Sequence, residues 1–217
     1  MENNIIAISV TVCLLVGCDQ GNAARSEKAA KELVGKSLSN MIPVQGGEFL
    51  MGDFGPLVGE KLPFSINLDD KVLHKVVLSD FSISKYKVTN DDYNKYLRIT
   101  GVKKPPINIL LKDYPSLQKG DYSVGITWQQ AKDYCQWLGK ESGKKFDLPT
   151  EAQWEYAARS RGQYIPFATN NGQFLPGKNI PSQDELSEYT DGAGIPIYPV
   201  GKYPPNPLGL YDMGFVE

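Results

Sequence analysis

The first strong feature of the chain is an uninterrupted apolar segment close to its N-terminus, residues 5–17 (IIAISVTVCLLVG). A run of this length is too short to cross a bilayer comfortably, but it is typical of the core of a secretory signal peptide. A polar sequence follows at once, which argues against the alternative of a buried helix. We therefore predict a signal peptide over residues 1–17, although no Lys or Arg precedes the apolar core as is usual in export signals.

Beyond residue 40, short alternating segments are mixed with helical ones. Residues 41–53 alternate around Gly46-Gly47 and predict two strands joined by a tight turn. Residues 72–83 alternate again, with Val76, Leu78 and Phe81 expected on the inward face. Three helices are predicted to begin after Thr89, Thr127 and Thr150, each of which is a suitable N-cap. From residue 163 onward the pattern indicates loops and short strands. Helices embedded among short strands and long loops predict an α+β fold.

The polar segment between the apolar run and the first strand is rich in Ala, Lys and Ser. We interpret residues 18–40 as a tether that follows the leader, with a short helix over residues 26–38. The folded domain is then expected over residues 41–217.

The composition and net charge give little indication of a charged binding partner. The 217 residues include 23 basic and 25 acidic residues and carry a net charge of −2, which gives no reason to expect nucleic-acid binding. The chain has 21 Gly and 15 Pro, a composition typical of short elements joined by shaped loops. The aromatic side chains are expected in two places, with Trp128, Trp137 and Trp154 in the core and Tyr189, Tyr198 and Tyr203 exposed on a protein-binding surface.

The apolar run ends in Leu15-Val16-Gly17-Cys18, which resembles the lipobox of bacterial lipoproteins. In that motif the cysteine thiol accepts the lipid, so Cys18 is the predicted lipidation site and the membrane is a predicted partner. The expected location is the bacterial cell envelope, on the periplasmic side. Asp19 resembles an inner-membrane retention signal, but the choice between inner and outer membrane stays open. With Cys13 in the leader and Cys18 acylated, Cys135 is the one thiol left, which excludes an intramolecular disulfide.

Four segments resemble, in order, the formylglycine-generating (sulfatase-modifying factor) family: residues 41–53 (MIPVQGGEFLMGD), residues 82–97 (SISKYKVTNDDYNKYL), residues 125–160 (GITWQQAKDYCQWLGKESGKKFDLPTEAQWEYAARS) and residues 198–213 (YPVGKYPPNPLGLYDM). The run LPTEAQWEYAAR is long and specific to that family. The resemblance implies an α+β fold related to C-type lectins, with little regular secondary structure.

The sequence departs from this family at functionally important positions. Lys87 stands where the family usually carries Glu, and after Met213 the sequence reads Gly-Phe-Val-Glu instead of continuing into the family's GN-x-W-E-W segment. The resemblance implies that the missing part carries both catalytic cysteines, which hold copper. A Cu(I) ion needs two thiolates, and iron-dependent branches need several histidines, whereas His74 is the one histidine here. We therefore expect no catalytic residue, no copper and no iron.

A calcium site is the metal site that the resemblance does imply. Its ligands would be the side chains of Asn179 and Asp191 and the carbonyls of Ile180 and Ala193, which are oxygen ligands of the kind that calcium prefers. Asp212 matches a ligand of the family's second calcium site. The alternative is an acidic loop that is merely solvated.

Three functional hypotheses follow. The leading one is a non-catalytic, membrane-tethered lipoprotein that binds a protein partner, either an envelope protein or a secreted antibacterial effector against which it confers immunity. The second is a formylglycine-generating or related oxidative enzyme whose catalytic C-terminal part is absent from this sequence. The third is a degraded gene product that does not fold.

Overall fold

The computed structural model describes residues 17–66, 72–104, 106, 112–190, 192 and 197–214, with side chains from residue 21 onward. The helices are α1 (Gly17–Ser39), α2 (Asn90–Thr100), α3 (Trp128–Ser142), α4 (Glu151–Ala158) and α5 (Gln183–Tyr189), with short 3-10 turns at Gly55–Leu57 and Pro115–Gln118. The strands are β1 (Met41–Val44), β2 (Gly47–Met51), β3 (His74–Leu78) and β4 (Phe81–Ser84). This mixture of helices and short strands confirms the predicted α+β class.

The strands form two antiparallel pairs, β1 with β4 and β2 with β3. The expectation that residues 41–53 fold back on themselves as a hairpin is therefore wrong. At the bend between β1 and β2, the Gly46 N–H donates to Asp80 Oδ1 at 2.8 Å. A side chain at Gly46 would come within 2.2 Å of the Leu78 carbonyl oxygen. Gly46 thus allows the backbone to pass close to the β3–β4 turn. Strands β1 and β2 therefore both pair with strands within residues 74–84.

The first core lies where α4 covers the two strand pairs. Its buried residues include Val44, Phe49, Ile83, Tyr156 and Leu210. Val76, Leu78 and Phe81, which the alternation placed on the inward face, are partly buried against this core, as predicted.

The second core joins α1 to α2 and α3. Leu33 and Val34 of α1 are buried in one cluster with aromatic and aliphatic residues of the other two helices. The segment predicted to be a tether is therefore a packed helix over much of its length, and the folded part of the chain begins before residue 41. Residues 1–16 lie outside the described part, so the leader and the lipidation of Cys18 stay predictions. Within the described residues, no helix is both long enough and apolar enough to cross a membrane.

The N-termini of three helices follow the predicted capping chemistry. The hydroxyls of Thr89, Thr127 and Thr150 each accept a hydrogen bond from the backbone N–H three residues later, at 3.2–3.3 Å. The fifth helix, α5, was not predicted, although Ser182 and Glu185 form the same kind of capping box. This Ser-x-x-Glu spacing was the sequence signal that could have revealed it.

Truncation of Leu33 tests whether α1 belongs to the folded domain. Because Leu33 is 1% exposed, we expect Leu33→Ala to lower the free energy of unfolding by about 2–4 kcal/mol. Leu38→Ala is the matched control in the same helix, where the side chain is 38% exposed, and it should cost well under half as much. Urea denaturation measures both, and equal costs would show that α1 is not packed as described.

Candidate functional site

Cys135 is the only free cysteine among the residues whose side chains the structure describes. It lies on α3, half-buried, and burial raises the pKa of its thiol to about 11, with a smaller contribution in the same direction from Asp147. At neutral pH the group is therefore a neutral thiol. Since the thiolate is the form that attacks substrates and binds copper, this position is unsuited to either role.

The predicted calcium ligands lie in a loop that its own hydrogen bonds already hold. Asn179 is buried, its Oδ1 accepts a hydrogen bond from the Leu175 N–H at 2.9 Å, and its amide group donates to the Gln173 carbonyl at 3.0 Å. The Ile180 carbonyl accepts the Gly177 N–H at 2.8 Å. Each of the two oxygens keeps a free lone pair, so this half of the loop fits a hard cation.

The other two predicted ligands of this site, Asp191 and Ala193, lie outside the described residues. Between them, Gly192 adopts the left-handed conformation with φ +80°, and its N–H donates to the Ser187 carbonyl at 2.9 Å. Gly192 therefore forms a tight turn at this point of the loop.

Asp212 lies in a different environment. Its Oδ2 accepts the Gly201 N–H at 2.7 Å. Burial raises the pKa of this carboxyl group, while the Gly201 N–H, the positive charge of Lys87 and the Tyr198 side chain oppose that shift. An ammonium group near the carboxylate repels a divalent cation. The surroundings of Asp212 therefore do not fit a second calcium site.

Other side chains that could take part in catalysis or bind a metal ion are also dispersed. His74 is exposed at the start of β3, with its Nδ1 3.1 Å from the Val72 carbonyl oxygen. Within the part of the chain that the structure describes, no three His, Cys, Asp or Glu side chains lie close enough together to hold a metal ion.

Several expectations about the aromatic side chains are wrong. Tyr198 and Tyr203 are buried and meet edge to face, with ring centroids 5.5 Å apart, so they are not part of an exposed surface. Trp128 is 66% exposed at the first position of α3 and is not in the core. Trp137 and Trp154 are partly buried against the two cores, as expected.

The exposed apolar surface lies instead on the loop between β2 and β3. We call residues 55–66 of this loop the apolar loop, and four of its side chains are more than half exposed: Leu57, Leu62, Phe64 and Ile66. Ile66 is 93% exposed. Between Gly55 and Ile66 the loop has one acidic and one basic residue, Glu60 and Lys61, so this segment has no net charge. Exposed apolar clusters of this kind are typical of interaction sites.

The apolar loop is closed at its base by Asp53. One carboxylate oxygen accepts the Gly55 N–H at 2.8 Å, and the other accepts the Ser65 N–H at 2.9 Å. Gly55 is required here, because a Cβ at that position would lie 2.2 Å from the Leu62 carbonyl oxygen. The two ends of the loop are thus held together by a single buried side chain.

Arg159 supports the loop from below. Its guanidinium group is buried and lies 4.3 Å from the centroid of Phe54 and 5.5 Å from that of Tyr164. Phe54 in turn meets Phe64 edge to face, with centroids 5.3 Å apart. The same guanidinium forms an ion pair with Glu155. Sequence analysis gave neither Asp53 nor Arg159 a role at this loop, although each lies in a segment that carried the family resemblance.

Comparison with known proteins identifies the scaffold. Residues 26–214 match the family described as sulfatase-modifying factor enzyme 1-like domain. Formylglycine-generating enzyme of Mus musculus is 24% identical over 221 residues, covering 82% of this chain and 56% of that protein. An inactive Cα-formylglycine-generating enzyme 2 from Bos taurus is 37% identical over 97 residues, which cover 42% of this chain and 29% of that protein.

A serine/threonine-protein kinase pkn1 from Chlamydia pneumoniae is 29% identical over 191 residues, covering 81% of this chain. The chain spans only 26% of that relative's length. Among solved structures, CarF matches with a TM-score of 0.46 and 19% identity, over 80% of this chain and 76% of that one.

The state of Cys135 can be measured by thiol labelling. Because its pKa is raised to about 11, alkylation of Cys135 in the native protein should be slow at pH 8 and should rise steeply as the pH approaches that value. Peptide mass spectrometry separates Cys135 from the other thiols, and the urea-unfolded chain provides the fast reference. Labelling at pH 8 that is as fast in the native protein as in the unfolded chain would contradict the assigned burial.

Proposed function

The chain belongs to the sulfatase-modifying factor family, and on that premise we propose that it is a non-catalytic member that binds a protein partner in the bacterial cell envelope, on the periplasmic side. The observation that carries the proposal is the apolar loop: four exposed apolar side chains on a segment tied at its base by Asp53. An ordered loop loses little conformational entropy on binding, so its apolar area is available to stabilise a complex.

Two features of the partner follow from the chemistry of the loop. The described loop segment carries one acidic and one basic residue, so the complementary surface should be apolar and nearly uncharged at its centre. The mixture of Leu, Phe and Ile fits a concave apolar pocket rather than a polar ligand. The partner is thus a protein, and an antibacterial effector is the most specific candidate.

A lipid on Cys18 would tether the domain to the membrane. The motif before Cys18 supports this part of the proposal, and the helix that begins at Gly17 supports it by connecting that position to the folded domain. A binding domain anchored in this way would contact its partner within the cell envelope, which the partner must cross. Mass spectrometry of the mature protein tests the anchor directly, and an unmodified Cys18 would refute it.

The non-catalytic part of the proposal is supported by the state of Cys135, which is a neutral, half-buried thiol at physiological pH. One relative is named as an inactive enzyme, so the family includes members without the activity. The alternative function is oxidative modification of a protein cysteine, and the similarity to the mouse formylglycine-generating enzyme favours it. Oxidation of a substrate-peptide cysteine by the purified 217-residue chain would establish the alternative.

The apolar loop can be tested with two matched phenylalanines. Phe64 in the loop is 56% exposed, and Phe174 elsewhere is 52% exposed and meets Phe167 at 5.3 Å, much as Phe64 meets Phe54. We expect Phe64→Glu to weaken capture of the partner from host envelope extracts by tenfold or more, on the order of 1.4 kcal/mol. Phe174→Glu should leave capture unchanged, and equal behaviour of the two variants would exclude the loop as the binding surface.

We also propose that the loop from Asn179 to Ala193 binds calcium as a structural ion. Excess calcium at about a hundredfold over its dissociation constant would stabilise the fold by about 3 kcal/mol, which a thermal melt with and without chelator detects. Asp191→Ala should abolish that calcium-dependent shift, whereas Asp184→Ala on α5 should preserve it. A melting temperature of the unaltered protein that is the same in calcium and in chelator would refute the site.

A further inference from the structure

Helices α1 and α2 lie side by side in opposite directions. The Ser26 hydroxyl donates to the Ile99 carbonyl at 3.3 Å, the Lys95 ammonium lies 3.0 Å from Glu32, and the Lys36 ammonium lies 2.7 Å from Asp92. In these contacts the residue number rises along α1 while it falls along α2. The first turns of α1 are therefore at the same end of the domain as the last turn of α2 and the segment that follows it.

This end of the domain is strongly basic. We call it the basic end and define it by five exposed side chains: Arg25 and Lys28 on α1, Arg98 on α2, and Lys103 and Lys104 just beyond α2. None of the five forms an ion pair with another described residue. Glu27 and Glu32 of α1 do form such pairs, with Lys31 and Lys95.

The stability of the helices does not account for this concentration of charge. A basic residue in the last turn of a helix interacts favourably with the helix dipole, which explains Arg98. Lys103 and Lys104 lie beyond the Gly101 C-cap, and Arg25 and Lys28 lie more than two turns from either end of α1, so the helix dipole does not account for these four residues. Five like charges repel one another, and they stand out in a chain whose net charge is −2.

The helix geometry relates the basic end to the predicted anchor. Cys18 precedes Ser26 by eight residues on the same continuous helix, which corresponds to about 12 Å at 1.5 Å per residue. Because α2 runs toward that end, residues 101–104 begin there, directly after its last turn. A lipid at Cys18 would thus turn this end of the domain toward the membrane, whose surface charge acts over about 8–10 Å at physiological salt.

We propose that the basic end docks on the surface of an anionic phospholipid bilayer and fixes the orientation of the domain on the membrane. The orientation rests on the proposed lipid anchor at Cys18, whereas the attraction between the basic end and anionic lipid does not. Val102, which is 49% exposed between Gly101 and Lys103, adds an apolar contact at the same place. A lipid anchor with a basic patch beside it is a recurrent combination, because anionic headgroups attract the Lys and Arg side chains that the anchor holds near the surface.

The test uses the processed lipoprotein, purified with its anchor and reconstituted into vesicles of phosphatidylcholine alone or mixed equally with phosphatidylglycerol. The acetylation rates of Lys103 and Lys104 are measured by peptide mass spectrometry. Lys119 is the internal reference, because its carbonyl accepts a hydrogen bond from Asn90 at the opposite end of α2. We expect both rates to fall by about fivefold or more relative to Lys119 in the anionic vesicles and to recover in high salt. Rates that are the same in both kinds of vesicle would overturn the proposal.

A pair of charge reversals supplies the matched control. Lys103→Glu and Lys119→Glu change the net charge equally, and both positions are exposed. Lys103→Glu should remove most of the protection of Lys104 in anionic vesicles, whereas Lys119→Glu should preserve it. Equal effects would show that overall charge, and not the basic end, controls the contact, which also overturns the proposal.

The purified lipoprotein also allows failure of the proposed basic-end contact to be distinguished from failure of the proposed anchor. If mass spectrometry finds no lipid on Cys18, the proposed tether fails, and the purified chain is then added to preformed vesicles. Salt-sensitive sedimentation with the anionic vesicles, absent from phosphatidylcholine, would preserve the basic end as a lipid-binding surface. Failure to sediment with either kind of vesicle would refute it.

Discussion

The apolar loop and its surroundings depend on the interactions of one buried group, the guanidinium of Arg159. A buried cation is costly unless its charge and its N–H groups are matched. Here Glu155 supplies the charge, and the carbonyls of Leu50, Gly162 and Gln163 accept hydrogen bonds at 2.9–3.1 Å. Two of these carbonyls reach the guanidinium because the chain turns sharply after α4, where Ser160 and Arg161 take left-handed conformations with φ +48° and +71°. Such conformations cost roughly 1–2 kcal/mol each for residues other than glycine. Closure of this turn on Arg159 offsets that strain, and the Phe54 ring packs against the same guanidinium group.

The scaffold of the family and its chemistry rest on different residues. Asn206 is another buried polar side chain that holds segments together, since its amide group donates to the Ala157 carbonyl at 2.9 Å and its Oδ1 accepts the N–H groups of Leu208 and Leu210. Neither Asn206 nor Arg159 provides a nucleophile or a metal ligand. A member of the family can therefore keep the packing that these residues create while using its loops for binding instead of catalysis.

Local signals in the sequence predicted local structure well. The threonine caps of three helices and the alternation around Val76 and Phe81 were sufficient, because helix starts and strand faces depend on neighbouring residues. The pairing of β1 with β4 was not predictable in this way, since the close approach at Gly46 involves residues more than thirty positions away. The polar composition of α1 concealed Leu33, whose burial depends on α2 and α3. For the candidate site, the sequence singled out Cys135 as the remaining thiol, and the calcium loop that it suggested stays a prediction. The apolar loop emerged only when Phe54, Asp53 and Arg159 were brought together in space.

Hydrogen exchange at the base of the apolar loop tests most directly the claim that this loop is an ordered surface. The Gly55 and Ser65 N–H groups both donate to Asp53, and Arg159 holds Phe54 beneath them. Both amides should exchange slowly in the unaltered protein and in Arg161→Met, where an exposed arginine is replaced. In Arg159→Met they should exchange at least tenfold faster, because the loop loses its support. Fast exchange of the two amides in the unaltered protein, or equal rates in all three proteins, would contradict the account.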